Sequence, residues 1–197
     1  MTTKSEILDI AQDLVQTRSY QGFSFQDIAD ALGLRKASLY HHFGSKEALA
    51  LALLRRHRER FRSWTCAIDN EPPDTQLKDY IRNFGDILGA GQKLCPGGAF
   101  VPGWGKLSDR VQREVTGLLV DQEQWLVKLI RTGIDHGYFR PENGSPRTQA
   151  RWILSTLQGA LLLSRTDGSE QMFGHVMDGL RGAILARHQP STALSPA

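Results

Sequence analysis

Two short segments with apolar residues at helical spacing, separated by a single glycine, limit most strongly what this chain can fold into. Ser24 followed by Asp27 is typical of a helix start, because the hydroxyl can accept from a backbone N–H and the acid lies in the first turn. Apolar side chains then recur as far as Leu32. Gly33 can adopt the left-handed conformation that ends a helix. The pattern predicts a short helix, a tight turn and a second short helix.

The second predicted helix carries polar and basic side chains on its outer face. Leu34, Leu39 and Phe43 can point inward, which leaves the residues between them exposed. Helix pairs of this form place the leading end of the second helix in the major groove of DNA. We therefore expect a DNA-binding site made of eight residues, four at the leading end and four a turn later: Arg35, Lys36, Ala37 and Ser38, then Tyr40, His41, His42 and Lys46.

These two groups are expected to contact different parts of the duplex. Among the leading residues, Lys36 can donate to guanine, Ala37 offers a methyl group, and Ser38 can donate or accept. The later group has donors suited to phosphate oxygens, and such contacts fix the register of a protein on DNA rather than the sequence it reads. Alternatively, Tyr40 and the two histidines could simply cover the surface of the domain.

Around this motif, residues 7–49 follow the pattern of a known family, with the sequence ILDIAQDLVQTRSYQGFSFQDIADALGLRKASLYHHFGSKEAL. This stretch resembles the three-helix DNA-binding domain of the TetR/AcrR-type transcriptional regulators almost position for position. The resemblance implies an all-α homodimer that binds palindromic operator DNA, represses transcription and is released by a small-molecule inducer. It also puts Lys36 to Ser38 at base-reading positions and the later four residues at phosphate-contacting positions. Ala37 departs from the glycine or proline common there, and residues 1–5 lack the arginine-rich arm of some members.

Helical patterns continue through the rest of the chain, and we find no credible pair of strands. The expected fold class is all-α, with about nine helices in three parts. These parts are an N-terminal helix-turn-helix domain of three helices at residues 1–46, a helical ligand-binding and dimerisation domain at residues 47–188, and a flexible tail at residues 189–197. Further helices are expected at residues 4–17, 45–70, 75–88, 108–136, 147–164 and 170–187, with Glu71 to Pro73 ending the helix that joins the two domains.

Basic charge is concentrated in and just after the second helix of the motif. Residues 35–62 hold eight basic and two acidic side chains, whereas the formal net charge of the whole chain is only +3. A local excess of this kind is typical of a phosphate-binding surface. Five of the basic residues lie between Arg55 and Arg62, beyond the motif, and could instead pair with acids of the second domain. We therefore leave them out of the predicted site.

Apolar and aromatic residues of the second domain are numerous enough to line a cavity for an inducer, although each of them could instead be ordinary core. The expected lining residues are Tyr80, Phe84, Leu88, Phe100, Trp104, Leu107, Trp125 and Trp152, with Cys95 beside them. Cys95 precedes a Pro-Gly-Gly stretch whose backbone N–H groups could stabilise a thiolate. A thiol-reactive inducer is therefore a further hypothesis.

Small residues are frequent in the last two predicted helices, and small side chains let helices approach closely. They favour a homodimer in which this helix pair packs against its copy as a four-helix bundle, and packing within one chain is the alternative. The residues concerned are Ala150, Gly159, Ala160, Gly179, Gly182, Ala183 and Ala186.

Other functional classes find little support in the sequence. The six histidines are scattered, no nucleophile elbow or phosphate loop is present, and neither Cys66 nor Cys95 has metal-ligand spacing, so we expect no metal and no cofactor. Two cysteines fit a reducing compartment, and no signal peptide or membrane-spanning run is found, which predicts a cytoplasmic protein. The competing readings are a nonspecific DNA-binding protein of the same fold and a helical enzyme.

Overall fold

A computed structural model describes residues 4–186, apart from the side chain of Asp167. These residues form eight α-helices, and the predicted all-α fold is confirmed. In chain order the helices are α1 (Lys4–Arg18), α2 (Phe25–Leu32), α3 (Lys36–His42), α4 (Lys46–Ala67), α5 (Pro73–Gly89), α6 (Asp109–Asp135), α7 (Pro146–Asp167) and α8 (Gln171–Ile184). The predicted tail at residues 189–197 lies outside the described part of the chain.

Short irregular elements join these helices. Three 3-10 helices occur at Tyr20–Gly22, Gly98–Lys106 and Pro141–Asn143, and an isolated antiparallel bridge pairs Phe139 with Leu185. The second of them begins at the end of the Pro-Gly-Gly stretch that follows Cys95. None of the helices that the structure describes is long and apolar enough to span a bilayer.

Serine residues cap four of the helices, which explains why their starts could be read from the sequence. In each case the hydroxyl accepts a backbone N–H from the first turn, a contact that contributes about 0.5–2 kcal/mol to helix stability. The caps are Ser24 for α2, Ser45 for α4, Ser108 for α6 and Ser145 for α7. Proline at the first position starts α5 at Pro73, because its fixed φ suits a first turn and its missing N–H is not needed there.

Apolar side chains form two clusters that divide the molecule. The first joins α1, α2, α3 and the beginning of α4 to the segment between Leu94 and Leu118. The second is built from α5, the later part of α6, α7 and α8. The three N-terminal helices, which we call the head, are therefore packed directly on the rest of the chain, which we call the body.

A cluster of ion pairs joins α4 to α6 between the two apolar clusters. Arg58 donates to both carboxylate oxygens of Asp121, at 3.0 and 3.2 Å, and to Glu114 at 3.2 Å. Arg55 and Arg62 pair with the same two acids. The alternative reading of the arginine-rich segment, in which it pairs with acids of the body, is thus confirmed for these three residues. These three arginines share two carboxylates, which offset most of their charge within the protein.

The end of α1 is tied to the segment that follows α5. The backbone N–H of Leu94 donates to the Gln16 carbonyl at 3.0 Å, and the Gln16 side chain donates back to the Leu94 carbonyl at 2.8 Å. Tyr20 stacks on Phe100 with ring centroids 5.1 Å apart. Arg165 of α7 also donates to the Thr17 carbonyl at 2.7 Å. A displacement of the segment after α5 would therefore also displace the end of α1.

Candidate nucleic-acid interface and buried cavity

The turn between α2 and α3 has the geometry that the sequence predicted. The Ser24 hydroxyl and the Ser24 backbone N–H each donate to Asp27 Oδ2 at 2.7 Å, and these two bonds lower the pKa of the Asp27 carboxyl. Gly33 has a φ of 63°, in the left-handed region, and the N–H of Leu34 then bonds back to the Ala29 carbonyl at 2.9 Å. A residue with a Cβ would be strained at this φ. The angle between α2 and α3 is fixed by these local contacts.

α3 presents its basic end to solvent. Leu39 is buried in the head, while Arg35, Lys36 and Ala37 are exposed and Ser38 is half-buried. Among the residues that the structure describes, Arg35 and Lys36 form no ion pair, in contrast to Arg55, Arg58 and Arg62 of α4. Free cations on the leading end of an exposed helix are available to an anionic partner.

The aromatic residues of α3 differ in how firmly they are held. Tyr40 is 49% exposed, and its ring lies against Phe25 with centroids 4.9 Å apart. Its hydroxyl is therefore carried on a supported ring at the surface. His41 is exposed and His42 is half-buried, with their ring centroids 5.9 Å apart. Tyr40 and His41 are thus exposed on the same helix as Lys36 and Ala37.

Lys46 is more enclosed than the sequence suggested. Its ammonium donates to the Phe23 carbonyl and lies 4.7 and 4.3 Å from the ring centroids of Tyr20 and Phe23. Burial lowers the pKa of Lys46, and nearby Asp27 partly offsets that effect. The side chain thus fastens α4 to the connection between α1 and α2, and only its remaining N–H groups can meet a phosphate.

A cavity of about 250 Å³ lies between α4, α5 and α6. The cavity was expected from the abundance of aromatic residues, but most of its walls were not identified from the sequence. Its lining residues are His57, Arg60, Phe61, Trp64, Tyr80, Asn83, Phe84, Ile87, Cys95 and Gln122.

The predicted lining residues are only partly brought together. Tyr80, Phe84 and Cys95 line the cavity, Trp125 lies behind Tyr80 at 5.0 Å between centroids, and Leu88 is core of the same cluster. The other four predicted residues do not line it. Phe100 and Leu107 pack in the cluster beneath the head, while Trp104 and Trp152 are 38% and 41% exposed at the surface.

Two buried polar side chains, Tyr80 and Gln122, line this cavity and bond to each other. The Tyr80 hydroxyl donates to Gln122 Oε1 at 2.7 Å, and both residues are 2% exposed. The amide nitrogen of Gln122 has no hydrogen-bond partner in the described part of the chain. Burial, and then Cys95, raises the pKa of Tyr80, so its hydroxyl remains a donor at neutral pH. The cavity therefore has one unused donor at its buried end.

Burial lowers the pKa of His57 to about 4, and the neighbouring charges of Arg60 and Arg56 act in the same direction. The unfolded chain takes up a proton near pH 6.5, so stability that is present above that pH is lost as the pH falls towards 4. The full difference is on the order of 3 kcal/mol. We expect His57→Gln to lose clearly less unfolding free energy than the parent between about pH 7 and pH 4.

This expectation is checked by denaturant unfolding at a series of pH values. His136→Gln, at an exposed site, is the matched control and should keep the parental pH dependence. If both histidine variants follow the parent curve, His57 is not held neutral by its surroundings.

The two cysteines are free and differ in accessibility. Cys66 is exposed on α4, whereas Cys95 is buried against the cavity. Within residues 4–186, no group of histidine, cysteine and acidic side chains is arranged to hold a metal ion.

The chain is similar to known bacterial regulators in sequence. Residues 7–53 match the family described as "Bacterial regulatory proteins, tetR family". The HTH-type transcriptional repressor DhaR of a Mycobacterium species is 30% identical over 182 residues, which cover 89% of this chain and 86% of that protein. The HTH-type transcriptional repressor KstR2 of Mycobacterium tuberculosis is 27% identical over 144 residues, covering 71% of this chain and 70% of the relative.

A solved structure shows the same architecture over nearly the whole chain. The crystal structure of a transcriptional regulator of the TetR family from Agrobacterium tumefaciens superposes with a TM-score of 0.87 and 27% sequence identity. The match covers 93% of this chain and 97% of that one. The similarity therefore includes the body as well as the head.

Proposed function

The chain belongs to the TetR family of bacterial regulatory proteins and is a DNA-binding transcriptional regulator, and from that premise we propose that it is a ligand-responsive repressor. It binds palindromic operator DNA as a homodimer and is released by a small-molecule inducer. In this proposal residues 1–46 are the DNA-binding domain and residues 47–188 bind the ligand and form the dimer. Because such a protein works on the chromosome, we also propose a cytoplasmic location.

The exposed end of α3, which forms no ion pair within residues 4–186, is the observation that carries the DNA-binding part of the proposal. Arg35, Lys36, Ala37 and Ser38 would meet base edges, since the N-terminal end of such a helix enters the major groove. Tyr40, His41, His42 and the remaining donors of Lys46 would hold phosphates. The fixed turn at Gly33 supports a head that enters the groove as one rigid unit.

An apolar outer face on α7 supports the homodimer. Leu162 and Leu163 are 53% and 51% exposed, and Trp152 is 41% exposed. Gly159 lies between them at helical spacing, and nothing lies within 4 Å of the position where its Cβ would be. Gly179 and Gly182 are likewise open on neighbouring α8. A second copy packed on this face would cover the leucines and let the helices approach closely.

Release from DNA would act through the segment that follows α5. Cys95 lines the cavity, and its neighbour Leu94 is doubly hydrogen-bonded to Gln16 at the end of α1. A ligand that prefers one position of this segment would also prefer one position of the head, and so would shift the population towards heads badly spaced for DNA. An electrophile that entered the cavity would meet the Cys95 thiol, which is the proposed thiol-reactive route.

The test is selection of bound fragments from random duplex DNA by the purified full-length protein. We expect one palindromic sequence to be enriched and to bind ~10³-fold or more tightly than bulk DNA, with strong dependence on salt. A nonspecific DNA-binding protein would enrich no sequence. That outcome would favour the alternative and remove the repressor assignment.

Tyr40 variants test whether the supported ring meets the backbone of the duplex. Tyr40→Ala should weaken binding to all sequences, by about 1–3 kcal/mol, and Tyr40→Phe should show the part of that loss due to the hydroxyl. Fluorescence anisotropy with the selected operator and with scrambled DNA measures both. Unchanged affinity in both variants would remove Tyr40 from the interface.

A further inference from the structure

Four of the ten residues that line the cavity between α4, α5 and α6 are phenylalanine, tyrosine or tryptophan. Phe61, Trp64 and Phe84 surround Tyr80, with ring centroids 6.4, 6.1 and 5.2 Å from it, and Trp64 is stacked on it. Aromatic rings pack best against flat apolar surfaces in offset or edge-to-face arrangements. The walls therefore suit a planar, aromatic body more than a branched or saturated one.

The buried end of the cavity offers a hydrogen-bond donor. Gln122 is 2% exposed, its oxygen is occupied by the Tyr80 hydroxyl at 2.7 Å, and its amide nitrogen has no partner among the described residues. Buried polar groups without partners are rare, because burial removes their hydrogen bonds to water and leaves no bond in place of them. An acceptor atom on a bound molecule would satisfy this nitrogen.

The outer end of the cavity is positively charged. Arg60 is exposed at this rim and forms no ion pair within residues 4–186, whereas Arg55, Arg58 and Arg62 on the same helix are all paired with acids. The pKa of His57 is lowered to about 4, in part by the charges of Arg60 and Arg56. His57 is therefore neutral near pH 7, and Arg60 is the free cation of this rim. One unpaired guanidinium suits a monoanion such as a carboxylate.

The size of the cavity limits the molecule further. Its volume of about 250 Å³ lies below the ~300–1,000 Å³ typical of sites for drug-sized ligands. A single substituted ring is more compatible with this space than a fused polycyclic skeleton.

We propose that this cavity binds a small aromatic carboxylate, with the carboxylate at Arg60, the ring between the aromatic walls, and an acceptor group on the far side of the ring at the Gln122 amide. This inference rests on the proposed function, because it names the chemical class of the inducer. The cavity and its charges can nevertheless be tested without DNA.

The experiment is isothermal titration calorimetry of the full-length protein with para-hydroxybenzoate and three analogues that each lack one feature. Benzoate lacks the far acceptor, para-hydroxybenzamide lacks the charge, and trans-4-hydroxycyclohexanecarboxylate lacks the planar ring. We expect para-hydroxybenzoate to bind at least about tenfold more tightly than para-hydroxybenzamide and trans-4-hydroxycyclohexanecarboxylate, and more tightly than benzoate.

Variants assign these preferences to individual residues. Arg60→Gln should abolish the preference for the acid over the amide, while Arg62→Gln, a matched change on the same helix outside the cavity, should retain it. Gln122→Leu should remove the advantage of para-hydroxybenzoate over benzoate. The titrations are made at a temperature at which the circular dichroism spectrum of each variant matches that of the parent, so that folded proteins are compared.

Two results would overturn the proposal. One is equal affinity for the acid and the amide, or no measurable binding of any of the four compounds to the folded protein. The other is an equal effect of Arg60→Gln and Arg62→Gln. DNA selection in the absence of ligand is scored separately. A protein that selects an operator but binds no carboxylate contradicts only the ligand class, and one that binds carboxylates but selects no operator contradicts only the proposed function.

Discussion

Replacing both Leu162 and Leu163 with glutamate is expected to make the protein monomeric and to lower its affinity for a palindromic operator by at least about a hundredfold. The two side chains lie on the outer face of α7 and are 53% and 51% exposed. In a two-fold dimer across this face, each glutamate would be buried against the same face of the partner. Burial of unpaired charges costs several kcal/mol, whereas in the monomer the glutamates remain in solvent and the fold is retained.

The loss in DNA affinity follows from the number of heads that bind together. In a dimer, binding of the first head holds the second close to its half-site, at an effective concentration in the millimolar range. A monomer must bind each half-site independently. Sedimentation velocity gives the oligomeric state, and titration of the selected operator gives the affinity.

Val101→Glu is the matched control for the glutamate substitutions. Val101 is 47% exposed and lies in the Gly98–Lys106 segment, which is not part of α7. This variant should remain dimeric and should keep its operator affinity. A Leu162→Glu, Leu163→Glu protein that stayed dimeric and bound the operator normally would show that α7 is not the dimer interface.

The head could be read from the sequence because its determinants are local. Ser24 and Asp27 cap α2 across three residues, and Gly33 ends the same helix with a left-handed φ. Neither contact depends on the rest of the fold. The spacing of Leu39 and Phe43 then decides which face of α3 is buried, so the opposite face could be identified as exposed.

The surroundings of Lys46 could not be predicted from its position in the sequence. The spacing predicts a donor equivalent to the others that follow α3, but the Lys46 ammonium is held by the Phe23 carbonyl and two aromatic rings. Phe23 and Tyr20 lie more than twenty positions earlier in the chain. No periodicity of a single helix indicates such a contact.

The cavity could not be predicted residue by residue, because its walls come from three helices and the segment after α5. Phe100 and Leu107 have the same apolar character as Phe84, yet they face the head, since the 3-10 helix at Gly98–Lys106 turns them towards α1. Arg60 was grouped with the arginines that could pair with acids of the second domain, and His57 was counted only among the scattered histidines. Their place at the cavity depends on how α4 is rotated against α6, to which the ion pairs of Arg58 contribute.

Substitution of Gly133 by alanine is expected to lower the free energy of unfolding by about 3 kcal/mol or more. Gly133 lies near the end of α6, where a Cβ would overlap the ring of Phe139, which is 1% exposed. That ring has little freedom to move. The N–H of Phe139 bonds to the Gly133 carbonyl at 3.1 Å, and the next N–H, from Arg140, bonds to the Ile184 carbonyl at 2.9 Å.

Denaturant unfolding of the parent and of each variant at one protein concentration checks this expectation, since the apparent stability of an oligomer depends on concentration. Gly85→Ala is the matched control, because Gly85 also lies within a helix but its Cβ would make only ordinary contact with Phe173, at 3.5 Å. The Gly85→Ala variant should gain up to about 1 kcal/mol from the better helix propensity of alanine.

In a Phe139→Ala background, Gly133→Ala should lower the free energy of unfolding much less than in the parent, because the overlapping ring is gone. A gain in stability at both glycines would mean that Phe139 can yield, and that the bend after α6 is not fixed by this contact.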